Sequence, residues 1–138
     1  MRVLLDTHLW LWWLLGSPQL PMRERQAIDQ SAQARQLRLA AISLWEAQML
    51  QAKGRLQLDQ PFEHWLRRAA AAEVITVLPL DSEVVIRVNS LPADFHGDPA
   101  DRLIVATALA QGLPLATFDG NIRRSQVVPL WSADCFLG

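Results

Sequence analysis

Short apolar runs alternate along the chain with longer segments of mixed polarity, and this pattern predicts the order of the secondary structure. Short continuous apolar runs are typical of buried strands, whereas apolar residues three or four positions apart are typical of helices. The predicted strands are residues 2–5, 37–41, 74–78, 115–117 and 127–130. The predicted helices are residues 7–15, 22–36, 44–52, 62–72, 82–91 and 99–111.

This alternation predicts an α/β fold: a three-layer α/β/α sandwich around a central, mainly parallel sheet of about five strands. The first helix, residues 7–15, is apolar nearly all round, so we expect it to be deeply packed or covered by a partner. The helix at residues 22–36 has few apolar positions, as surface helices do. No linker, repeat or low-complexity segment divides the sequence, which favours a single domain over residues 1–138.

Composition and charge limit the fold size, the cellular compartment and the ligands that are expected for the protein. The 138 residues suffice to bury one core, and the lone cysteine, Cys135, cannot form a disulfide within the chain. We expect it to be a small buried or half-buried hydrophobe. The uninterrupted apolar stretch at residues 9–15 is far shorter than the ~20 residues that span a bilayer, which predicts a cytoplasmic protein without a membrane segment. The net charge of −1 gives no overall attraction to nucleic acid.

Acidic residues recur where a predicted strand ends or the following helix begins. They are Asp6, Glu46, the pair Asp98 and Asp101, and Asp119. Because the carboxyl ends of parallel strands meet at one edge of a sheet, these acids are expected to lie close together. Clustered carboxylates repel one another unless a cation neutralises them, and oxygen ligands without His or Cys favour Mg²⁺ or Mn²⁺.

Local helix structure offers another explanation for several of these acids. Asp6 can cap the helix that starts at Thr7, and Ser43-x-x-Glu46 has the spacing of a capping box. These roles are compatible with metal binding but do not require it.

The same holds for the two later acidic segments. Asp98 can cap a helix that has Pro99 in its first turn, and Asp119 before Gly120 suits a turn. Thr117 is expected to project to the side of Asp119 and to hold a carboxylate or a water.

A divalent cation held by carboxylates, one ion or two, is suited to phosphodiester hydrolysis. The motifs GxxxxGK(S/T) and GxGxxG are absent from the sequence, which gives no support to a nucleotide motor or a Rossmann dehydrogenase. A haloacid-dehalogenase-like phosphatase also carries an aspartate after its first strand, but it needs a second acid at position 8, which is His8. A response-regulator receiver would need paired early acids and a late lysine. A non-catalytic interaction module is the remaining alternative.

Four motifs in order give the chain a resemblance to a known family. They are Leu4-Leu5-Asp6-Thr7-His8, Ser43-x-Trp45-Glu46, Asp98-Pro99-x-Asp101-Arg102-x-Ile104-x-Ala106-x-Ala108 and Leu115-x-Thr117-x-Asp119. Over nearly its whole length the sequence resembles the PIN-domain ribonucleases, and within them the bacterial VapC-type toxins of toxin–antitoxin pairs. The resemblance implies a Mg²⁺-dependent endoribonuclease, with Mn²⁺ as a substitute, that acts on RNA, forms a homodimer and is neutralised by a cognate antitoxin.

The resemblance also implies roles for individual residues. The acidic quartet of the family corresponds to Asp6, Glu46, Asp101 and Asp119, as catalytic residues and metal ligands. Thr7, Ser43 and Thr117 would be supporting hydroxyls, and Asp98 a cap or a support for the quartet. Arg102 would contact phosphate or, alternatively, pair with Asp98 or Glu46. The three histidines are expected to be structural or exposed, with His96 nearest the site.

Six tryptophans occur in this short sequence, three of them in the first helix. Trp10 and Trp13 are three positions apart, so they are expected to share a core-facing side of that helix. Trp12 points elsewhere, and a groove beside it would suit an amphipathic antitoxin segment. The antitoxin could also insert a basic side chain among the carboxylates.

Overall fold

The computed structural model describes residues 1–134, so Cys135 lies outside the described residues. The four strands are β1 (Val3–Leu5), β2 (Leu37–Ala40), β3 (Thr76–Leu78) and β4 (Leu115–Ala116). The helices are α1 (Thr7–Leu15), α2 (Met22–Gln33), α3 (Ala41–Ala52), α4 (Phe62–Ala69), α5 (Ser82–Asn89), α6 (Pro99–Gln111) and α7 (Gly120–Ser125).

The strands form one parallel sheet in the order β3-β2-β1-β4. β1 pairs with β2 in the register Val3 to Leu37 and with β4 in the register Leu4 to Leu115. The expected fifth strand at residues 127–130 contributes only an isolated parallel bridge between Leu130 and Leu115. The sheet therefore has four strands rather than about five, and β1 is central in it.

Side chains of β1 alternate between two hydrophobic layers, which confirms the three-layer sandwich. Val3 and Leu5 belong to a core that includes Trp10 of α1 and Ile28 of α2. Leu4 faces the other core, whose members include residues of α6. With both faces of the sheet covered by helices, ligand access is left to its edges, and the carboxyl ends of the strands open on one of them.

One predicted helix start was wrong, and one short helix was not predicted. α3 begins directly after β2, with Ala40 as its first flanking residue and no side-chain cap. Ser43 therefore lies inside the helix and does not form a capping box with Glu46. α7 was not predicted at all; it begins at Gly120, and the turn expected after Asp119 is its first turn.

The tryptophans of α1 divide between core and rim. Trp10 is fully buried, whereas Trp12 and Trp13 are half-buried. Trp13 Nε1 donates to Asp29 Oδ1 at 2.8 Å, so this ring connects α1 with α2 and is less buried than Trp10. None of the helices within residues 1–134 combines the length and the apolarity that a membrane crossing needs.

Candidate metal centre

Asp6 lies at the carboxyl end of β1 and is only 5% exposed. Its Oδ1 accepts from the backbone N–H of Leu9 at 2.8 Å, so Asp6 does cap α1. Its Oδ2 accepts from the Thr117 hydroxyl, which comes from the end of β4. Burial raises the pKa of Asp6 above its usual range, while these two hydrogen bonds lower it. Capping and site formation are thus two uses of one carboxylate.

Glu46 reaches the site from the second turn of α3. It accepts from the Thr7 hydroxyl, whose oxygen also lies 2.8 Å from Ser43 Oγ. Ser43 and Thr7 are both buried, and the Thr7 hydroxyl on α1 contacts Glu46 and Ser43, which both belong to α3. Burial raises the pKa of Glu46, and the negative charges of Asp98 and Asp6 add to this rise. No capping box is formed, and the supporting roles of Ser43 and Thr7 stay a prediction.

Asp98 and Asp101 divide two tasks at the start of α6. The Asp98 side chain caps the helix by accepting from the Asp101 N–H at 3.0 Å. Asp101 is left free to face the other acids. Burial, followed by the charges of Asp98, Asp119, Glu46 and Asp6, raises the pKa of Asp101 to about 7. All the acids singled out in the sequence thus act electrostatically on this one carboxylate.

Asp119 closes the site from the segment after β4. Its Oδ1 accepts from the Ile122 N–H at 2.9 Å, which caps α7, and its own N–H donates to Thr117 Oγ1 at 3.0 Å. The Thr117 hydroxyl therefore connects Asp119 with Asp6. This agrees with the expectation that Thr117 holds a carboxylate, although the carboxylate it holds is that of Asp6.

Arg102, one residue after Asp101, points to the loop that precedes α6. Its Nη1 donates to the carbonyl oxygens of Phe95 at 3.1 Å and His96 at 3.4 Å. Its guanidinium carbon lies 5.9 Å from the centre of the Phe95 ring. Within residues 1–134 Arg102 makes no ion pair with Asp98 or Glu46, and its contact with phosphate stays a prediction.

His96, expected to be structural or exposed and nearest the site, lies next to two of the acids. Ligand atoms of His96, Asp101 and Asp119 all lie within 4.8 Å of one another. The sequence predicted an oxygen-only cation site and placed His96 nearest to it, two residues before Asp98, without making it a ligand.

A cavity of about 200 Å³ adjoins the acids and has partly aromatic walls. Its lining includes Asp6, Asp119, His8, Trp12 and Phe118. The rings of Trp12 and Phe118 are 6.2 Å apart, and Phe118 is exposed. Trp12 was predicted from the sequence, whereas Phe118, which stands between Thr117 and Asp119 in the chain, was not.

The residues fit a divalent cation. Hard carboxylate oxygens dominate the donor set, and the buried Nε2 of His96 lacks a hydrogen-bond partner within the described part of the chain. That nitrogen lies 3.5 Å from Asp101 Oδ2, beside carboxylates that repel one another, and a bound cation would be shared by these groups.

The chain is similar to proteins of a known family. The profile of the PIN domain matches residues 3–127. Ribonuclease VapC22 of Mycobacterium tuberculosis is 40% identical over 121 residues, which cover 88% of this chain and 89% of the relative.

Two solved structures show the same fold. DNA-bound VapBC from Salmonella typhimurium matches with a TM-score of 0.72 at 16% identity, covering 96% of this chain and 98% of that one. FitAcB from Neisseria gonorrhoeae matches with a TM-score of 0.69 at 23% identity and the same coverage. With the profile and the relative both extending over most of its length, the chain belongs to the PIN domain family.

Proposed function

We propose that this protein is a Mg²⁺-dependent endoribonuclease that acts as the toxin of a toxin–antitoxin pair. The observation that carries the proposal is the convergence of Asp6, Glu46, Asp101 and Asp119, which come from four separate segments, on one edge of the sheet. The similarity to Ribonuclease VapC22 supports RNA as the substrate. We further propose that residues 1–138 act as one domain in the cytoplasm.

The four acids have distinct tasks in this proposal. Asp6, Glu46 and Asp101 hold the cation, and Asp119 completes a second position. When bound, the cation stabilises charge on the phosphodiester and makes a water a better nucleophile. The hydroxyls of Thr7 and Thr117 orient the carboxylates of Glu46 and Asp6 before any ligand arrives, so little reorganisation is needed on binding.

Cleavage of a mixed panel of RNAs with Mg²⁺, with Mn²⁺ and with EDTA tests the proposal. We expect cleavage with either metal, none in EDTA, and loss of cleavage in Asp6→Asn. Asp59→Asn, an exposed acid between α3 and α4, serves as the control and should cleave as the wild type does. Activity that persists in EDTA or in Asp6→Asn would overturn the metal mechanism.

The same assay separates the two alternatives. Hydrolysis of a small phosphomonoester without RNA cleavage would favour a phosphatase, and no hydrolysis of either would favour a non-catalytic module. His8, where a phosphatase would place its second acid, is exposed. This position gives the phosphatase no support.

Neutralisation by an antitoxin is supported by the cavity next to the acids. Because Trp12 and Phe118 border the same cavity as Asp6 and Asp119, an apolar anchor and a basic side chain of one segment could occupy neighbouring positions. Trp12→Ala should weaken binding of the cognate antitoxin in isothermal titration calorimetry. Unchanged affinity would exclude Trp12 from that interface.

A homodimer is supported by apolar side chains around the start of α5. Leu80, Val85 and Ile86 are 50%, 53% and 55% exposed, which is unusual for a surface without a partner. Light scattering after size exclusion should give twice the chain mass, and Ile86→Glu should give a monomer. Leu15→Glu, a comparably exposed residue on α1, should leave the dimer intact. A monomeric wild type would overturn this proposal.

A further inference from the structure

We infer that His96 is a nitrogen ligand of the metal centre, which makes the position beside Asp101 and Asp119 a mixed nitrogen and oxygen site that favours Mn²⁺ over Mg²⁺. The inference rests on the proposed function, because it assigns one more residue to the same centre. It differs from the acidic quartet in the kind of donor atom. It also predicts a metal preference that four carboxylates alone would not produce.

The first observation is the position of His96 Nε2. This atom is 3.5 Å from Asp101 Oδ2 and is buried without a hydrogen-bond partner within residues 1–134. A hydrogen bond between the two groups would bring them to about 2.7–3.2 Å. Two ligands of one ion are held apart instead, since each points its lone pair at the metal. The gap and the missing partner have one explanation if a cation lies between these side chains.

The second observation is that the loop holding His96 is fixed from α6. Arg102 binds the carbonyl oxygens of residues 95 and 96, and its guanidinium covers the Phe95 ring. Phe95 is buried and packs against the imidazole with ring centres 4.8 Å apart. The imidazole is thereby pre-oriented next to Asp101. The ring therefore presents Nε2 to Asp101 before any ligand arrives, so little reorganisation would be needed when a metal binds.

The chemistry of the donor set determines which ions should respond. Mg²⁺ is a hard ion that prefers oxygen ligands and keeps several waters. The affinity of a nitrogen ligand such as imidazole for divalent transition metals increases from Mn²⁺ to the later members of the series. Replacing His96 should therefore weaken Mn²⁺ binding much more than Mg²⁺ binding.

The direct test is pulsed electron paramagnetic resonance of Mn²⁺ bound to the full-length protein. Modulation from a coupled ¹⁴N nucleus is expected in the wild type and should change to the ¹⁵N pattern when only histidine is isotopically labelled. His96→Gln should lose the coupling, whereas His64→Gln, an exposed residue on α4, should keep it. His8→Gln should also keep it, although His8 borders the cavity next to Asp6.

Metal titrations give a second readout. In His96→Gln the Kd for Mn²⁺ should rise about tenfold or more, the scale seen even when an outer partner of a ligand is removed. The Kd for Mg²⁺ should change less than threefold in the same variant. Circular dichroism checks that the variant is folded, and the isotope experiment on the wild type does not depend on any variant.

The outcomes separate this inference from the proposed function. Mn²⁺ bound without nitrogen coupling, or coupling lost in His8→Gln instead, would overturn the role of His96 and leave the carboxylate centre intact. Absence of any Mn²⁺ or Mg²⁺ binding by the wild type would overturn the proposed metal centre itself, and the role of His96 with it.

Discussion

Replacing Thr117 with valine removes a hydroxyl that joins two acids of the centre while keeping the shape of the side chain. In the folded protein this hydroxyl donates to Asp6 Oδ2 and accepts from the Asp119 N–H. Thr117 is 2% exposed, so water cannot readily replace either bond. Thr117→Val should therefore destabilise the protein and raise the pKa of Asp6 further, since the bond from Thr117 lowers that pKa.

The size of the effect follows from the charge of the acceptor. A hydrogen bond to a charged group contributes about 1.5–3 kcal/mol, so we expect a loss of about 2 kcal/mol in the free energy of unfolding. With an unfolding entropy of about 2.1 cal/mol/K per residue, this corresponds to a fall of about 7 °C in Tm. A higher pKa of Asp6 makes protons compete more strongly with the metal, so the rise in Tm on adding Mg²⁺ should shrink.

Thermal and urea denaturation, with and without Mg²⁺, measure both effects. The matched control is Thr107→Val: Thr107 is 3% exposed, but its hydroxyl only donates to the Leu103 carbonyl within α6. This control loses one neutral hydrogen bond and should cost about 1 kcal/mol, less than Thr117→Val, and it should leave the response to Mg²⁺ unchanged. Thr117→Ser, which keeps the hydroxyl, should retain the response to Mg²⁺ despite the lost methyl group. A valine variant with the stability and the Mg²⁺ response of Thr107→Val would refute this role of the hydroxyl.

Three further outcomes are expected. Without metal, the free energy of unfolding should fall as the pH rises from about 4 to 7. The reason is that Asp101, with its pKa of about 7, keeps a proton in the folded chain that the unfolded chain has already released. Urea titrations should show a flatter pH dependence for Asp101→Asn. Mg²⁺ competes with that proton, so calorimetric affinity should increase from pH 6 to 8 in the wild type, and a pH-independent affinity would count against Asp101 as a ligand. Arg102→Gln should reduce the preference for Mn²⁺ over Mg²⁺ by loosening the loop of His96, whereas an effect on RNA binding alone would indicate a phosphate contact.

The sequence predicted the sheet edge and its acids because strong, local signals encode them. The apolar run before Asp6 and the Asp98-Pro99 helix start both have the structure expected. The capping box predicted at Ser43 was wrong, because the spacing of such a box does not locate the start of a helix. The helix α3 begins at Ala41 because β2 continues directly into it.

The missed features depend on contacts between distant segments. α7 has one buried residue, Ile122, in six, so it has no apolar periodicity to detect. His96 and Phe118 lie near the acids only because the loop before α6 and the end of β4 fold next to each other. Residues 127–130 look like a strand, but they make a single bridge to Leu115 of β4, through the carbonyl of Pro129 and the N–H of Trp131 on either side of Leu130. The positions of these residues depend on tertiary contacts, and short-range sequence patterns do not contain that information.

The pairing of β1 with β4 also determines how late during synthesis of the chain the acids can come together. Asp6 and Thr117 are bonded although they are 111 positions apart. At about 5–20 residues per second, a ribosome makes Asp6 roughly 5–20 s before it makes Thr117. The cluster of acids is therefore incomplete during most of synthesis, because Asp6 lacks its hydrogen-bond partner until β4 has been made. Such a delay leaves time for an inhibitor already present in the cell to meet the enzyme as it completes folding.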